Sequence, residues 1–380
     1  MSDKNDMDNQ AKVTRRDFLK IAAVTTGGVI ATVAMADSVY AESDINVSLM
    51  RDGTEAQEFT DSAERKTSIP KEIKTVIPAG IIAQTLLITL CSEKISTLAK
   101  EIEDDEEAQY TSIGKGKLNN LEETGNLYSR HGRDIKTAKI TAESPSLVID
   151  AGEEKSDIDF SLDYLQARTN VPTVFVDATF GMLPKAYRTL GALLGCERRA
   201  EQLAVYIEDI YKDVTQKCSL VSTSPAILYA ANENGLWQRS ERTVQDDVIE
   251  FLGGVSVKSP IGATPDTMNA EVLSNQQFNC VIFNNRECVE QIFLGTGKAY
   301  ELWASVPAIL NGMYTISPAL YHYWFGSSML FTQTIGMQWL GKTIWPDIYD
   351  YDLVSEAKKF YSLFYDRTLD EEMLNRMGLL

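Results

Sequence analysis

The feature that most constrains the fold is a long amphipathic helix near the middle of the chain. Apolar residues recur every three or four positions at Leu203, Ile207, Ile210 and Val214, while charged residues occupy the other face. Taken over residues 197–217, at about 1.5 Å per residue, this helix is roughly 30 Å long. That length is about the width of a small domain, so the pattern predicts a helix that bridges two lobes.

Short runs rich in β-branched residues flank this helix on both sides and alternate with helical segments. The upstream runs cover residues 73–77, 147–150 and 173–176, and the downstream runs cover residues 226–229, 255–258 and 281–283. Repeated alternation of strand and helix is typical of parallel sheets covered by helices. The chain is therefore predicted to form two α/β lobes. One continuous α/β domain with an ordinary crossover helix is the alternative.

The first 41 residues have the pattern of an export signal. Arg15 and Arg16 stand in T-R-R-D-F-L-K and precede an apolar run over residues 21–36. Paired arginines in this setting are typical of the twin-arginine signal, which is read by a translocase for folded proteins. Residues 39–41 offer a small-residue cleavage site. A retained anchor is the alternative, although the run is shorter than the roughly 20 residues that a spanning helix needs.

Composition and charge set the remaining organisation. The 380-residue chain is 44% hydrophobic, which is enough for two cores, and its net charge of -18 argues against nucleic acid as a partner. We divide the rest of the chain into a polar tether over 42–71, a first lobe over 72–182, a linker-helix region over 183–218 and a second lobe with terminal helices over 219–380.

The cysteines leave their redox state open. An exported chain meets an oxidising compartment, yet the five cysteines are an odd number and contain no C-x-x-C pair. Cys91, Cys196 and Cys280 stand in apolar runs, which predicts that they are buried free thiols. Bridges between Cys280 and Cys288, or between Cys196 and Cys218, are the alternative.

Basic and aromatic residues in three segments are candidates for ligand contact. Arg130 and His131 lie in a basic cluster within a long loop, and a guanidinium pairs well with a carboxylate or an oxyanion. Trp237 lies in a polar loop that follows a predicted strand. Tyr323 and Trp324 precede a helix, where bulky aromatics provide either a core plug or a flat surface for a conjugated ligand.

Four motifs give the chain a specific resemblance to a known group. They read L-G-A-L-L-G-C-E-R-R-A-E-Q-L at 190–203, S-P-S-L-V-I-D-A-G-E at 144–153, M-N-A-E-V-L at 268–273 and G-M-Q-W-L-G-K-T-I-W-P-D at 336–347. With these motifs the chain resembles the class III substrate-binding proteins of ABC importers over residues 73–374. The resemblance implies two Rossmann-like lobes joined by a single long rigid helix, with the ligand cleft between the lobes.

The resemblance also implies a function and a location. Proteins of this group bind ferric siderophores, haem and cobalamin, and in some branches metal oxyanions. This chain is accordingly expected to be a monomeric, non-enzymatic receptor in the periplasm or on the cell surface. It would capture an iron complex or cobalamin and deliver it to an ABC permease and its ATPase, with no cofactor or metal of its own. The expected ligand-binding residues are Arg130, His131, Trp237, Tyr323 and Trp324.

Docking on the permease is expected to use one exposed glutamate in each lobe. Glu271 stands at the position of the second-lobe glutamate. In the first lobe the corresponding position, seven residues before Pro145, is Ala138. Either Glu122, in an upstream N-L-E sequence, has taken over, or the docking contact of this lobe is different.

Two other functions remain open at this stage. A receptor for molybdate, tungstate or another metal is the alternative within the same class, although His131 and His322 are too few histidines for a three-histidine site. A redox enzyme exported by the twin-arginine route is the alternative of another class. It lacks support because the chain contains no C-x-x-C motif and no dinucleotide fingerprint.

Overall fold

The computed structural model describes residues 48–49, 55–100, 118–128, 134–231, 235, 243–257, 273, 278–284, 286–320, 322–326 and 329–380. The predicted export signal lies outside these residues. Residues 44–380 cluster into one compact unit. Among the helices of the described residues, none is long and apolar enough to cross a membrane.

An antiparallel sheet of three strands opens the described part of the chain, formed by β1 (Ser48–Leu49), β2 (Glu55–Thr60) and β3 (Lys66–Pro70). Thr67 and Ile69 on one face of β3 are buried, as is Ala56 of β2, and the Phe175 amide donates to Asp61 in the turn between the strands, at 3.0 Å. The predicted polar tether over 42–71 therefore does not hold for residues 55–70. In β3, exposed and buried residues alternate with a period of two, the pattern of a half-buried strand.

The first lobe is built on a parallel sheet with the strand order β4-β5-β6. Its strands are β4 (Val76–Pro78), β5 (Leu147–Gly152) and β6 (Thr173–Asp177), and its helices are α1 (Ile81–Cys91), α2 (Thr137–Glu143) and α3 (Ile158–Thr169). The whole of β5 is buried, because both faces of the sheet are covered. The three predicted upstream strands are confirmed, the first of them beginning at Val76.

Two antiparallel helices lead out of the first lobe, α4 (Leu183–Leu194) and α5 (Glu197–Cys218). Gly195 ends α4 in the left-handed region, with a φ of 68°, which a glycine adopts without strain. The helices then pack closely, since a Cβ at Gly191 would lie 2.2 Å from that of Ala200. The predicted helix over 197–217 is confirmed, and all four residues of its apolar stripe are buried.

The second lobe has its own parallel sheet with the order β10-β9-β7-β8. The strands are β7 (Ala226–Ala230), β8 (Val255–Ser256), β9 (Cys280–Phe283) and β10 (Tyr314–Ile316). The helices are α6 (Val244–Phe251), α7 (Arg286–Leu294), α8 (Gly297–Trp303), α9 (Pro307–Leu310), α10 (Thr332–Ile344), α11 (Leu353–Tyr365) and α12 (Glu371–Arg376). All three predicted downstream strands are confirmed.

Each of the two parallel sheets is the centre of a separate hydrophobic core. In the first lobe, Ile77, Val148 and Phe175 from the three strands belong to one cluster of buried residues. In the second lobe, Val281 and Trp303 belong to another. Two separate parallel sheets with separate cores confirm the predicted two-lobe α/β fold, whereas the lobe boundaries chosen from the sequence stay predictions.

Helix α5 contacts α1 of the first lobe and α11 near the end of the chain. Arg199 donates from Nε to the carbonyl of Thr89 on α1, at 3.2 Å, and from Nη2 to the carbonyl of Leu363 on α11. Tyr206 packs edge-on against Phe364 of α11, with 5.6 Å between ring centroids. Contacts with α1 and with α11 therefore fix the position of the bridging helix.

Candidate functional site

The carboxyl ends of the parallel strands carry the candidate site. In open parallel sheets, ligands bind in the crevice outside these ends, because the loops there approach from several strands at once. The first-lobe strands end at Pro78, Gly152 and Asp177, and the longest second-lobe strands end at Ala230 and Phe283. Polar groups near these positions are therefore the candidates for ligand contact.

In the first lobe the notable group is the carboxylate of Asp150, near the end of β5. It is 7% exposed, and its Oδ1 lies 3.3 Å from the place where a Cβ on Gly80 would be, just before α1 begins. Burial raises the pKa of Asp150 to about 6, although a hydrogen bond to the Ala151 backbone and the charge of Lys155 both oppose the shift. Glycine at position 80 leaves room for this side chain.

A buried carboxylate of this kind is costly for folding. With a pKa of about 6, Asp150 is mostly ionised at pH 7, so the fold holds a negative charge in a place that disfavours it. Groups kept at such a cost cluster at binding and catalytic sites. Asp150 is therefore the first-lobe candidate for ligand contact.

In the second lobe, two polar side chains meet near the carboxyl ends of β7 and β9. Tyr229 donates from its hydroxyl to the carbonyl of Gly326, at 3.3 Å, and the Asn284 side chain forms a hydrogen bond with the same phenol. Asn284 Oδ1 is buried and has no partner among the described residues. The φ of Gly326 is 99°, and a Cβ there would lie 1.8 Å from the Tyr229 hydroxyl oxygen. The loop therefore needs glycine at this position to accommodate the phenol.

Tyr323 adds a second phenol to this group. Its side chain is half-buried, and burial raises its pKa. Burial also raises the pKa of Tyr229, and the neighbouring Tyr323 adds to that effect. Both phenols are therefore neutral at pH 7. Together with the Asn284 amide they form a neutral hydrogen-bonding surface, suited to carbonyl, hydroxyl or phenolate oxygens of a ligand.

Trp324 has a different place from the one predicted for it. It is fully buried, and its indole nitrogen donates to the hydroxyl of Tyr361 at 3.0 Å. Its carbonyl packs so closely on α10 that a Cβ at Gly336 would lie 2.3 Å from the oxygen. We therefore assign Trp324 to the core, because the apolar face and the polar atom of its ring both have partners inside the protein.

The other predicted site residues divide into two groups. Arg130, His131, Trp237 and Glu271 lie outside the described residues, so their roles stay predictions. Glu122 is described; it exposes 83% of its side chain and forms an ion pair with Lys139 of α2. This ion pair lowers the pKa of Glu122.

Direct binding of a metal ion finds no support in the described part of the chain. It contains no group of three or more histidine, cysteine, aspartate or glutamate side chains that could hold a metal. His322, one of the two histidines, is buried, with its ring 6.4 Å from that of Tyr365. The described site therefore offers oxygen and amide groups to a ligand.

The sequence analysis missed Asp150, Tyr229 and Asn284 as site residues. Asp150 and Tyr229 lie within the last three residues of their strands, and Asn284 directly follows β9. Since the carboxyl ends of parallel strands meet at one edge of a sheet, position at a strand end was the available signal. The candidates predicted from the sequence are instead basic and aromatic residues of loops.

Comparison with solved structures places this architecture among two-lobe solute-binding proteins. An ABC transporter solute-binding protein from Sulfurospirillum deleyianum superposes with a TM-score of 0.72 at 17% identity, over 85% of this chain and 99% of that chain. A periplasmic solute-binding protein from Veillonella parvula gives 0.66 at 21% identity, over 85% and 96%. The molybdate-binding protein MolA from Haemophilus influenzae, bound to molybdate, gives 0.64 at 16% identity, over 83% and 99%.

Sequence comparison identifies the family. The family described as periplasmic binding protein matches residues 88–317, which include most of both lobes and the whole bridging helix. No curated protein matches the chain. The chain belongs to the periplasmic binding protein family, and the class III type expected from its four motifs is confirmed.

Proposed function

We propose that this protein is the extracytoplasmic receptor of an ABC importer that captures an iron complex, such as a ferric siderophore or haem, or cobalamin. The observation that carries the proposal is the pair of polar surfaces at the strand ends of the two lobes. One holds Asp150, and the other holds Tyr229, Asn284 and Tyr323. Family membership supports a receptor that works with a permease and an ATPase.

The charge of the site favours such a complex over a free oxyanion. Asp150 carries a negative charge at pH 7, and an oxyanion beside it would meet repulsion in a poorly solvated place. The neutral phenols and the Asn284 amide can hold the oxygen-rich periphery of a chelate without a charge of their own. Trp237, Arg130 and His131 are proposed to complete the site.

Two alternatives are kept as outcomes of the test. Molybdate or tungstate is a candidate because this chain shares the fold of a protein that was solved with molybdate bound. An oxyanion would use the same phenols and Arg130. The redox enzyme exported by the twin-arginine route is disfavoured, since the family consists of binding proteins. Export by that route remains part of the proposal.

The test is direct binding to the mature chain, residues 42–380. Equilibrium dialysis and tryptophan fluorescence would be measured with ferric siderophores, haem, cobalamin, molybdate and tungstate. We expect saturable binding of at least one iron complex or of cobalamin. Binding of molybdate or tungstate alone would replace the proposed ligand class, and no binding across the set would contradict the receptor function.

Tyr323→Phe tests the phenol surface. Removing one hydroxyl that contacts the ligand is expected to weaken binding roughly 3- to 10-fold, the effect of about one hydrogen bond, while leaving the unfolding temperature nearly unchanged. Tyr164→Phe is the matched control, because Tyr164 lies on α3 with 47% of its surface exposed. Equal affinities for the two variants would remove Tyr323 from the site.

Docking on the permease is proposed to use Glu271 and Glu122. Glu122 pairs with Lys139, the neighbour of Ala138 on α2, so its carboxylate lies beside the position where the resemblance places a glutamate. Exposed charges at an interface rim mainly set register and encounter rate. The carboxylate of Glu122 is therefore proposed to take the place of a glutamate at position 138 of α2.

Charge reversal at Glu122 tests this contact. In proteoliposomes with the cognate permease and ATPase, Glu122→Arg is expected to lower receptor-stimulated ATP hydrolysis about tenfold at low receptor concentration and to leave ligand affinity unchanged. The matched control is Glu143→Arg, an exposed position at the end of α2. Full stimulation by Glu122→Arg would show that the first lobe docks through another residue.

A further inference from the structure

Two cysteines more than a hundred residues apart in sequence lie close together at the N-terminus of the bridging helix α5. Cys91 is the last residue of α1 and is buried, and Cys196 directly precedes α5 and is half-buried. Their thiols form a hydrogen bond with each other. The two sulfur atoms are therefore within hydrogen-bonding reach of each other, and both cysteines are free thiols in this structure.

The surrounding contacts hold this pair in place. Arg199, three residues after Cys196, donates to the carbonyl of Thr89, two residues before Cys91, at 3.2 Å. The Thr89 hydroxyl lies 2.8 Å from the hydroxyl of Tyr187 on α4. Because these hydrogen bonds attach the end of α1 to both α5 and α4, they hold the two cysteines close to each other.

We propose that Cys91 and Cys196 form a disulfide once the protein reaches an oxidising compartment. The bond would join the end of α1, in the first lobe, to the start of the bridging helix. It would make the connection between α1 and α5 more rigid at the end of α5 where Arg199 already donates hydrogen bonds to α1 and α11.

The chemistry of the two thiols is complementary. The hydrogen bond from Cys91 lowers the pKa of Cys196, which also stands at the N-terminus of a long helix, where a thiolate is stabilised. The hydrogen bond to Cys196, together with burial, raises the pKa of Cys91. Cys196 is therefore the nucleophile and the more accessible of the two.

The oxidant is a disulfide, either that of a thiol oxidoreductase or oxidised glutathione. The Cys196 thiolate attacks one sulfur of this disulfide, so that a mixed disulfide forms and one thiolate leaves. The leaving thiolate takes the proton of Cys91, whose sulfur then attacks Cys196 and releases the second thiolate, which takes up from solvent the proton that Cys196 lost on ionising. The two cysteines lose two electrons, and the oxidant disulfide becomes two thiols that carry both protons.

The pairings considered from spacing are excluded by the geometry. Cys196 and Cys218 lie at opposite ends of α5, roughly 30 Å apart, whereas a disulfide needs Cα atoms within about 7 Å. Cys280 begins β9, whereas the Cys288 sulfur and the ring of Phe283, the last residue of that strand, both lie beside Gly235. Burial raises the pKa of Cys280 to about 11 and that of Cys288 to about 12, so both remain thiols.

The experiment counts thiols. The chain is purified reduced, folded in a redox buffer of oxidised and reduced glutathione, and then denatured and alkylated without reductant before mass spectrometry. We expect three alkylated cysteines of the five, and one linked peptide pair that contains Cys91 and Cys196. The oxidised protein should unfold about 5 °C above the reduced protein, since the bond closes a long loop.

Variants and a second sample separate this proposal from the proposed function. Cys196→Ser should abolish the linked peptide and the temperature difference, whereas Cys218→Ser, at the far end of α5, should keep both. Five alkylated cysteines after oxidation, or a link between other cysteines, would overturn the proposal. Because the glutathione experiment needs no export and no ligand, its result is independent of the receptor function. Protein recovered from a periplasm should carry the same link if the chain is exported.

Discussion

Replacing Trp324 by alanine is expected to lower the free energy of unfolding by about 3–5 kcal/mol, the range for a large aromatic side chain removed from a core. The ring is fully buried, and its nitrogen donates to the Tyr361 hydroxyl at 3.0 Å, so the variant loses both packing and a buried hydrogen bond. The measurement is urea unfolding followed by circular dichroism. Ligand affinity of the folded fraction should change by less than about threefold, since Trp324 does not reach the surface.

Tyr361→Phe is the companion variant for this prediction. It leaves the indole nitrogen of Trp324 buried without an acceptor, which is expected to cost about 1–3 kcal/mol and to leave ligand affinity unchanged. A Trp324→Ala protein of nearly normal stability that has lost its ligand would contradict the core assignment. That result would restore the ligand-contact role first predicted for this residue.

Replacing Asp150 by asparagine is expected to stabilise the protein at pH 7, by up to about 3 kcal/mol, and to weaken ligand binding. The pKa of Asp150 is about 6 in the folded state, above its ordinary value near 3.8. A raised folded-state pKa means that the stability contribution is fully present below about pH 4 and is lost as the pH rises through about 6. The neutral asparagine escapes this loss.

The pH dependence gives this prediction its sharpest form. The two proteins should have similar free energies of unfolding at pH 4, and Asp150→Asn should gain progressively between pH 4 and 7. Asp209→Asn, at an exposed position of α5, should differ from the original protein by less than about 0.5 kcal/mol throughout. A destabilised Asp150→Asn protein at pH 7 would show that the carboxylate has a structural partner.

A variant that is more stable but binds less well would also explain why the chain keeps this carboxylate. Binding sites often hold groups that the fold alone would not favour. Loss of affinity in Asp150→Asn, together with normal affinity in Asp209→Asn, would identify the end of β5 as part of the ligand site. Unchanged affinity would restrict the site to the second lobe and to the predicted loop residues.

Secondary structure and lobe architecture could be predicted from the residues alone because their signals are local. The predicted apolar stripe of α5 matches the structure, because the period with which apolar residues recur can be read from nearby positions in the sequence. The six predicted strands were recognisable because buried parallel strands are short, apolar and β-branched.

Local patterns could not predict which side chains meet. Trp324 stands in the same aromatic run as Tyr323, yet one is buried against Tyr361 and the other is half-exposed beside Tyr229. The thiols of Cys91 and Cys196 touch only because two distant helix ends pack together. Burial and contact of an individual side chain depend on partners far away in the chain. Periodicity therefore specified the helices and strands, and packing between them specified the site.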